Sequence, residues 1–158
     1  MPEPVIEKLD LDAPDVLELI AASDAFYQDL YPAESTHLEA VDDLRKPGAL
    51  LIGCRCDGQL AASAAAKQMD DDGIYAEIKR VFVLDRFRGC GLSARLMAHL
   101  EDEMQRRGIS VFRLETGIHQ PEALGLYRKL GYVERGPFGA YRLDPLSVFM
   151  EKCLPGSR

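Results

Sequence analysis

The spacing of apolar residues predicts three long helices. The clearest lies in the segment "GLSARLMAHLEDEMQRRG", where Gly108 is placed to end the helix. Its apolar residues recur at every fourth position and therefore share one face: Leu92, Leu96, Leu100 and Met104. A second helix is predicted for "PEALGLYRKLG", with Pro121 near its start. A third is predicted to begin near Pro14, and its apolar stripe contains Val16, Leu19 and Ile20.

Short apolar runs bounded by turn residues predict the strands. The segment "GALLIGCRCDGQLAASAAAKQM" predicts a hairpin that turns at Asp57 and Gly58. The other predicted strands lie in "PVIEKLD", "DDDGIYAEIKRVFVL", "SVFRLETG", "YVERG" and "LSVFMEKCL". Between the first helix and the hairpin, the segment 31–44 predicts a turn at Pro32 and a short helix. The strand–helix–strand–helix order of the second half indicates an α/β fold with one parallel crossover.

Length and composition indicate one domain over residues 1–158. Of these 158 residues, 47% are hydrophobic and 28% are charged, as in an ordinary globular protein. The net charge of −7 argues against broad binding to nucleic acid or anionic membranes. No apolar run is long enough to span a membrane, and no signal peptide is recognisable. The four cysteines have neither zinc-site nor disulfide spacing, so we expect a reduced, cytoplasmic protein without a bound metal.

The stretch "RFRGCGLSARL" combines two arginines and two glycines directly before the clearest helix. The first amides of a helix lack partners within the helix, and the helix dipole adds positive charge there. Gly89 and Gly91 would let an anion approach the backbone, and Arg86 and Arg88 can bond phosphate oxygens. The stretch therefore predicts a pyrophosphate-binding turn, with a tight turn and solvated arginines as the alternative. Neither the P-loop nor the dinucleotide fingerprint matches its spacing.

Three motifs together resemble the GNAT superfamily of acyl-CoA-dependent N-acetyltransferases. Arg86, Gly89 and Gly91 have the spacing of the family's phosphate signature. The second motif is "QPEALGLYRKLGY", from Gln120 to Tyr132, and the third is "AEIKRVFV", the strand before the turn. The resemblance implies the GNAT fold, a single mixed, mostly antiparallel sheet with a central parallel strand pair, flanked by helices. It also implies acetyl-CoA as co-substrate and a small, bacterial type of enzyme.

The resemblance further implies how the coenzyme would be bound. Backbone groups of Val81, Phe82 and Val83 would lie along the pantetheine arm, which pairs with the strand as an added ladder. The turn that follows would hold the pyrophosphate through these residues: Arg86, Arg88, Gly89, Cys90, Gly91, Leu92 and Ser93. Gln120 stands where the family usually has asparagine, and it would also contact the coenzyme.

Acetyl transfer to an amine needs a base for the amine proton and an acid for the leaving thiolate. Glu77 matches a position where several family members keep a catalytic glutamate, and it would act directly or through a water. Alternatively, Glu77 pairs with a neighbouring cation. The general acid of the family is the tyrosine of the Leu-Tyr pair, here Tyr127, and a tyrosine pKa of about 10 suits this role. By spacing alone, Tyr127 would pack in the core.

The expected acceptor is a primary amine of a small molecule, because the segments 31–44 and 134–145 are long enough to cover the acceptor side. Glu34 and His37 are three residues apart on the predicted short helix and would form one patch there. In this patch, Glu34 would hold the ammonium group of the acceptor.

Lys79 or Arg80 would bind a carboxylate of the acceptor. Arg80 interrupts an otherwise apolar strand face, where an unpaired charge would be costly. It therefore meets an anion, pairs with an internal acid such as Glu115, or is turned outward by a bulge.

Two other functions fit the same motifs. One is acetylation of protein N-termini or lysines, which needs an open groove for the acceptor. The other is coenzyme binding without catalysis, which the loss of Tyr127 or Glu77 would have favoured, and both residues are present. No nucleic acid or membrane partner is expected, while an exposed sheet edge, which often pairs in this fold, allows a homodimer.

Overall fold

The computed structural model describes residues 3–36 and 40–155. Its strands, in chain order, are β1 (Val5–Lys8), β2 (Ala49–Cys56), β3 (Gln59–Met69), β4 (Tyr75–Val83), β5 (Val111–Gly117), β6 (Val133–Arg135) and β7 (Ser147–Cys153). They form one 7-stranded sheet in the order β1-β2-β3-β4-β5-β7-β6. The central pair β4–β5 is parallel and the other neighbouring pairs are antiparallel, which confirms the predicted sheet.

Helices cover both faces of this sheet. They are α1 (Pro14–Leu30), α2 (Val41–Leu44), α3 (Leu92–Arg106) and α4 (Pro121–Lys129). The apolar residues of α1 and α2 pack on one face, and those of α3 and α4 pack on the other. The predicted stripe of α3 is fully buried, as periodicity required: Leu92, Leu96, Leu100 and Met104. In the part of the chain that the structure describes, no helix has the length and apolar character needed to cross a membrane.

A bulge in β4 changes which side chains share a face. Arg80 has a left-handed backbone (φ 56), and its strand gains one residue relative to β3 at this point. Before the bulge, Lys79 lies opposite Ala65 on the α1 face; after it, Phe82 occupies that face. Val81 and Val83 pack on the α3 face. The two-residue alternation of a regular strand predicts that Glu77, Lys79, Val81 and Val83 share one face. That prediction is wrong here, because one inserted residue reverses the two-residue period.

The short helix predicted between residues 31 and 44 is present as α2, but Glu34 does not lie on it. A single 3-10 turn covers Ala33–Ser35, and Thr36 is already extended. Helix α2 begins only at Val41. His37 lies outside the described residues, so the expected patch of Glu34 and His37 stays a prediction.

The parallel strands β4 and β5 pair over a short distance and then separate. Their register ends with Ile78 opposite Leu114. Both strands continue beyond this point, β4 to Val83 and β5 to Gly117. A cleft opens between them at the centre of the sheet.

Candidate active site

The cleft between the separated strands has a volume of about 80 Å³. It is bounded by the end of α1, the 3-10 turn that follows, both strands, the start of α4 and the loop before β7. Its lining is Tyr27, Tyr31, Ser35, Thr36, Ile78, Lys79, Arg80, Val81, Leu114, Glu115, Thr116, Gly117, Gln120, Tyr127 and Tyr141. Five of the predicted site residues thus meet at this one place: Lys79, Arg80 and Val81 from β4, Gln120 from the N-cap of α4, and Tyr127 from α4.

Tyr127 is buried in the wall of the cleft, with 5% of its surface exposed. Its ring packs edge-on against Tyr132. Within residues 3–36 and 40–155, its hydroxyl has no hydrogen-bond partner, and burial raises its pKa well above the ordinary value. The cleft therefore contains a protonated tyrosine hydroxyl that has no hydrogen-bond partner among the described residues. The ring of Tyr127 packs in the core, as its spacing in the sequence predicted.

Glu115 is a carboxylate of the cleft that motif analysis did not assign. It lies on β5, one residue beyond the end of the pairing with β4. Burial raises its pKa to about 7, and the hydroxyl of Ser147 on β7 donates a hydrogen bond of 2.8 Å to its Oε2. A carboxyl group with this pKa can take up and release a proton near neutral pH.

Glu77 is buried beside the cleft and is not among its described lining residues. The hydroxyl of Tyr141 donates a 2.6 Å hydrogen bond to Glu77 Oε2. Lys79 Nζ lies 3.6 Å from the same oxygen and donates to Tyr141 Oη at 3.0 Å. Glu77 thus has the neighbouring cation that the alternative interpretation expected. Through its hydrogen bond to Tyr141, Glu77 also connects the loop before β7 to β4.

Gln120 is held by two tyrosines from the end of α1. Tyr31 Oη donates to Gln120 Oε1 at 3.0 Å, and Gln120 Nε2 donates to Tyr27 Oη at 3.5 Å. Tyr27 Oη in turn donates to the carbonyl of Val81 at 2.8 Å, and burial raises the pKa of Tyr27 to about 12. This chain of hydrogen bonds connects α1, β4 and the start of α4 across the cleft.

Tyr31 sits directly on Gly117, at the end of β5. A Cβ at this position would overlap the Tyr31 hydroxyl and the adjoining ring carbon. We expect Gly117→Ala to lower the free energy of unfolding by about 3 kcal/mol, the upper part of the range for overpacking, because the buried Tyr31 ring must move. Chemical denaturation measures this change.

The matched control for that substitution is Gly125→Ala, in the exposed part of α4, where a Cβ would meet nothing within 4 Å. Alanine favours the helix, so this variant should gain about 0.5–1 kcal/mol of stability. Equal stability of Gly117→Ala and Gly125→Ala would contradict the close contact with Tyr31.

The predicted phosphate turn precedes α3 and is open on its outer side. Gly89 (φ 79) and Gly91 (φ 76) have left-handed backbones, and a Cβ on either would meet nothing within 4 Å. Gly91 is the N-cap of this 15-residue helix, and no side chain caps it. The amides of the first helical turn, which includes Leu92 and Ser93, are therefore available to an anion. Open space, free amides and the helix dipole fit a pyrophosphate group.

The side chains of this turn divide into exposed and inward-facing ones. Arg86 and Cys90 are exposed, while Leu92 is buried in the core, so Leu92 can contribute only backbone to a ligand. The guanidinium of Arg88 lies over the Phe26 ring, 4.7 Å from its centroid. Its Nε donates to the carbonyl of Val83 at 3.1 Å. Arg88 therefore joins the turn to the end of β4.

The predicted pantetheine contacts lie on the last residues of β4. Phe82 is buried and packs against Phe26, so its side chain belongs to the core. The carbonyls of Val81 and Val83 each accept one bond, from Tyr27 and Arg88. A carbonyl oxygen has a second lone pair. Pairing of a pantetheine arm with these residues stays a prediction.

The residues predicted to bind the acceptor lie in different places. Glu34 is exposed on the 3-10 turn and is not among the described residues that line the cleft. Arg80 lines the cleft, but its guanidinium is 2.5 Å from Asp24 of α1, with 5% of the side chain exposed. The bulge turns Arg80 toward this helix, so its acidic partner is Asp24, and the Glu115 that the sequence suggested is instead bonded to Ser147.

Several cleft residues were missed because they are far apart in sequence: Tyr27, Tyr31, Glu115 and Tyr141. Tyr27 and Tyr31 have helical spacing near the end of α1, which a search for a second aromatic site could have used. Glu115 is a carboxylate within an otherwise mostly buried strand, a recognisable signal of a functional or paired acid.

Comparisons with known proteins agree with this architecture. The sequence model of the Acetyltransferase (GNAT) family matches residues 15–132. IAA acetyltransferase of Azospirillum brasilense is 44% identical over 139 residues, 88% of this chain and 90% of that protein. A solved structure of a Klebsiella pneumoniae protein, assigned as an acyl-CoA N-acyltransferase, is 33% identical with a TM-score of 0.79, covering 96% of this chain and 97% of that one. The PaiA N-acetyltransferase of Thermoplasma acidophilum, solved with coenzyme A, shares the fold at 17% identity and a TM-score of 0.72, covering 97% and 100% of the two chains.

Proposed function

The chain belongs to the acetyltransferase (GNAT) family and is an N-acetyltransferase that uses acetyl-CoA, and we propose that its acceptor is the primary amine of a small molecule. One observation carries the proposed mechanism. Glu115, with a pKa of about 7, and the unengaged hydroxyl of Tyr127 line the same cleft where β4 and β5 separate.

In this proposal, the two residues move protons in opposite directions. Acetyl-CoA supplies the thioester, whose carbon–sulfur bond breaks as the amine nitrogen bonds to the acetyl carbon. Glu115 accepts the proton that leaves the amine, directly or through a water. Tyr127 donates its hydroxyl proton to the sulfur, and solvent returns a proton to Tyr127. Burial keeps Tyr127 protonated and makes it a weaker acid than an exposed tyrosine, so its proton moves only to the fully formed thiolate.

The small size and covered mouth of the cleft support a small acceptor. Its volume is about 80 Å³, far below the several hundred Å³ of a typical ligand pocket. Ser35, which lines the cleft, donates a 2.6 Å hydrogen bond to Asp144 in the loop before β7. Tyr141, from the same loop, is fixed to Glu77. These two hydrogen bonds connect the loop before β7 to the 3-10 turn and to β4, on opposite sides of the cleft. A folded protein acceptor would therefore have little room to reach the cleft. The name of the Azospirillum brasilense relative, IAA acetyltransferase, is consistent with this choice.

The test of this function is thiol release from acetyl-CoA by the purified protein, with a broad panel of small amines and a set of peptides. We expect turnover with at least one small amine and none with peptides that present an N-terminus or a lysine. Turnover with peptides alone would support the protein acetyltransferase, while coenzyme binding without any turnover would support the silent module.

The role of Glu115 predicts a specific dependence of the rate on pH. Its carboxyl must be deprotonated to act, so kcat/KM should fall as the pH drops below about 7. The groups that act on this carboxyl are Ser147 from β7, Lys79 and Glu77 from β4, and Asp144 from the loop before β7. In Glu115→Gln, this fall of kcat/KM below pH 7, the acidic limb of the pH profile, should disappear. At pH 8 the variant's kcat/KM should be at least tenfold lower, because solvent water only partly replaces Glu115 as the base.

Glu77→Gln is the matched comparison, because Glu77 remains the base predicted from the sequence. We expect this variant to keep the limb near pH 7. The opposite result would assign the base to Glu77: the fall of kcat/KM below pH 7 would disappear in Glu77→Gln and persist in Glu115→Gln.

A further inference from the structure

We infer that the acceptor amine carries no carboxylate next to its amino group. This inference rests on the proposed function and describes the charges that a bound acceptor would meet. It differs from the expectation, drawn from the sequence, that Lys79 or Arg80 binds an acceptor carboxylate.

Both of these cations are engaged with acidic residues of the protein. Lys79 Nζ lies 3.6 Å from Glu77 and bonds to Tyr141, with 12% of the side chain exposed. Arg80 Nη1 lies 2.5 Å from Asp24, with 5% of its side chain exposed. A ligand carboxylate would have to compete with these fixed carboxylates, which are already oriented and partly desolvated. Neither cation is therefore placed as a receptor for an anion.

Glu115 adds negative charge to the same cleft. Its partner is the neutral hydroxyl of Ser147, and within the described ranges no Lys, Arg or His nitrogen lies within ion-pair distance of it. In an α-amino acid, the carboxylate is two bonds from the nitrogen. An amino group placed to give its proton to Glu115 would bring that carboxylate close to a like charge in a partly buried site. Repulsion then opposes binding.

The remaining lining suits an ammonium group with an uncharged substituent. Four tyrosine side chains line the cleft: Tyr27, Tyr31, Tyr127 and Tyr141. Aromatic faces attract cations, and the buried hydroxyl of Tyr127 has no partner among the described residues. Such a surface can accommodate a polar but neutral group of the acceptor. A carboxylate of the acceptor would meet only Lys79 and Arg80, which are already engaged with acidic residues of the protein.

The experiment compares each of several amino acids with its amino alcohol and its decarboxylated amine, at pH 8. The amino alcohol keeps the carbon skeleton and replaces the carboxylate with a neutral group of similar size. We expect kcat/KM to be at least tenfold higher for the amino alcohol and the amine than for the amino acid, mainly through KM. A difference below threefold in the wild-type protein overturns the inference.

Two variants on α1 test whether the pairing of Arg80 with Asp24 contributes to the preference against amino acids. Asp24→Asn removes the carboxylate 2.5 Å from Arg80 and should narrow the preference against amino acids to about threefold. Asp29→Asn is the control, since Asp29 is exposed on the same helix. It should leave the preference unchanged. An unchanged preference in Asp24→Asn would contradict the role of the Arg80–Asp24 pair. Coenzyme binding with no acetylation of any amine would refute the proposed function itself.

Discussion

Gly89→Glu is expected to weaken coenzyme A binding at least 100-fold. The substitution places a carboxylate in the turn where the first amides of α3 and the helix dipole would meet the pyrophosphate. It also adds a side chain to a left-handed position (φ 79) that is open to solvent. Titration calorimetry measures the change, and because phosphate contacts are partly electrostatic, the affinity of the unsubstituted protein should fall as salt rises.

Two controls separate charge repulsion from backbone strain. Gly58→Glu introduces the same side chain at another left-handed glycine (φ 80), in the turn between β2 and β3, where a Cβ also meets nothing within 4 Å. It should lose comparable stability and keep its coenzyme affinity. Gly89→Gln has the same shape without the charge and should bind with intermediate affinity. Unaltered binding by Gly89→Glu would place the pyrophosphate site elsewhere.

Tyr127→Phe is expected to lower kcat by roughly 100-fold, the usual contribution of an acid catalyst. The ring keeps its packing against Tyr132, and within the described part of the chain no hydrogen bond to the hydroxyl is lost. Stability and coenzyme affinity should therefore stay near those of the unsubstituted protein. Steady-state kinetics with a saturating acceptor and calorimetry with coenzyme A measure the two quantities.

The matched control is Tyr75→Phe, which removes a hydroxyl from another fully buried tyrosine, outside the cleft. Its kcat should not change. If Tyr127→Phe turns over as fast as Tyr75→Phe, then Tyr127 is only a core residue and the thiolate takes its proton from another group.

Local patterns in the sequence predicted those elements that depend on neighbouring residues. The four-residue period of α3 is set by the helix itself, so its buried face followed from the positions of the leucines. The hairpin at Asp57 and Gly58 followed from turn residues that adopt positive φ, as both do here. The glycines of the predicted phosphate turn, Gly89 and Gly91, also have positive φ, which few other residues tolerate.

Local patterns failed where a single residue changed the register. The sequence allows a bulge at Arg80 as one of three outcomes, but it does not show that this bulge moves Val81 and Val83 to the α3 face. The short helix predicted between residues 31 and 44 is observed only at Val41–Leu44, while Ala33–Ser35 form a 3-10 turn beside the cleft. There Ser35 bonds to Asp144, 109 residues away. Contacts of this kind outweigh intrinsic helix propensity.

The sequence by itself therefore determined the family, the mixed sheet with its parallel pair, and the glycine turn before α3, because each depends on short motifs or on periods of two and four residues. Only the tertiary structure decided which carboxylate faces the cleft. Glu77 and Glu115 lie on adjacent strands and both fit a catalytic role by residue type. The end of β4–β5 pairing exposes Glu115 to the cleft, whereas Tyr141 and Lys79 cover Glu77. The pairing of Arg80 with Asp24 likewise depends on α1 packing over the bulge, 56 residues away in the chain.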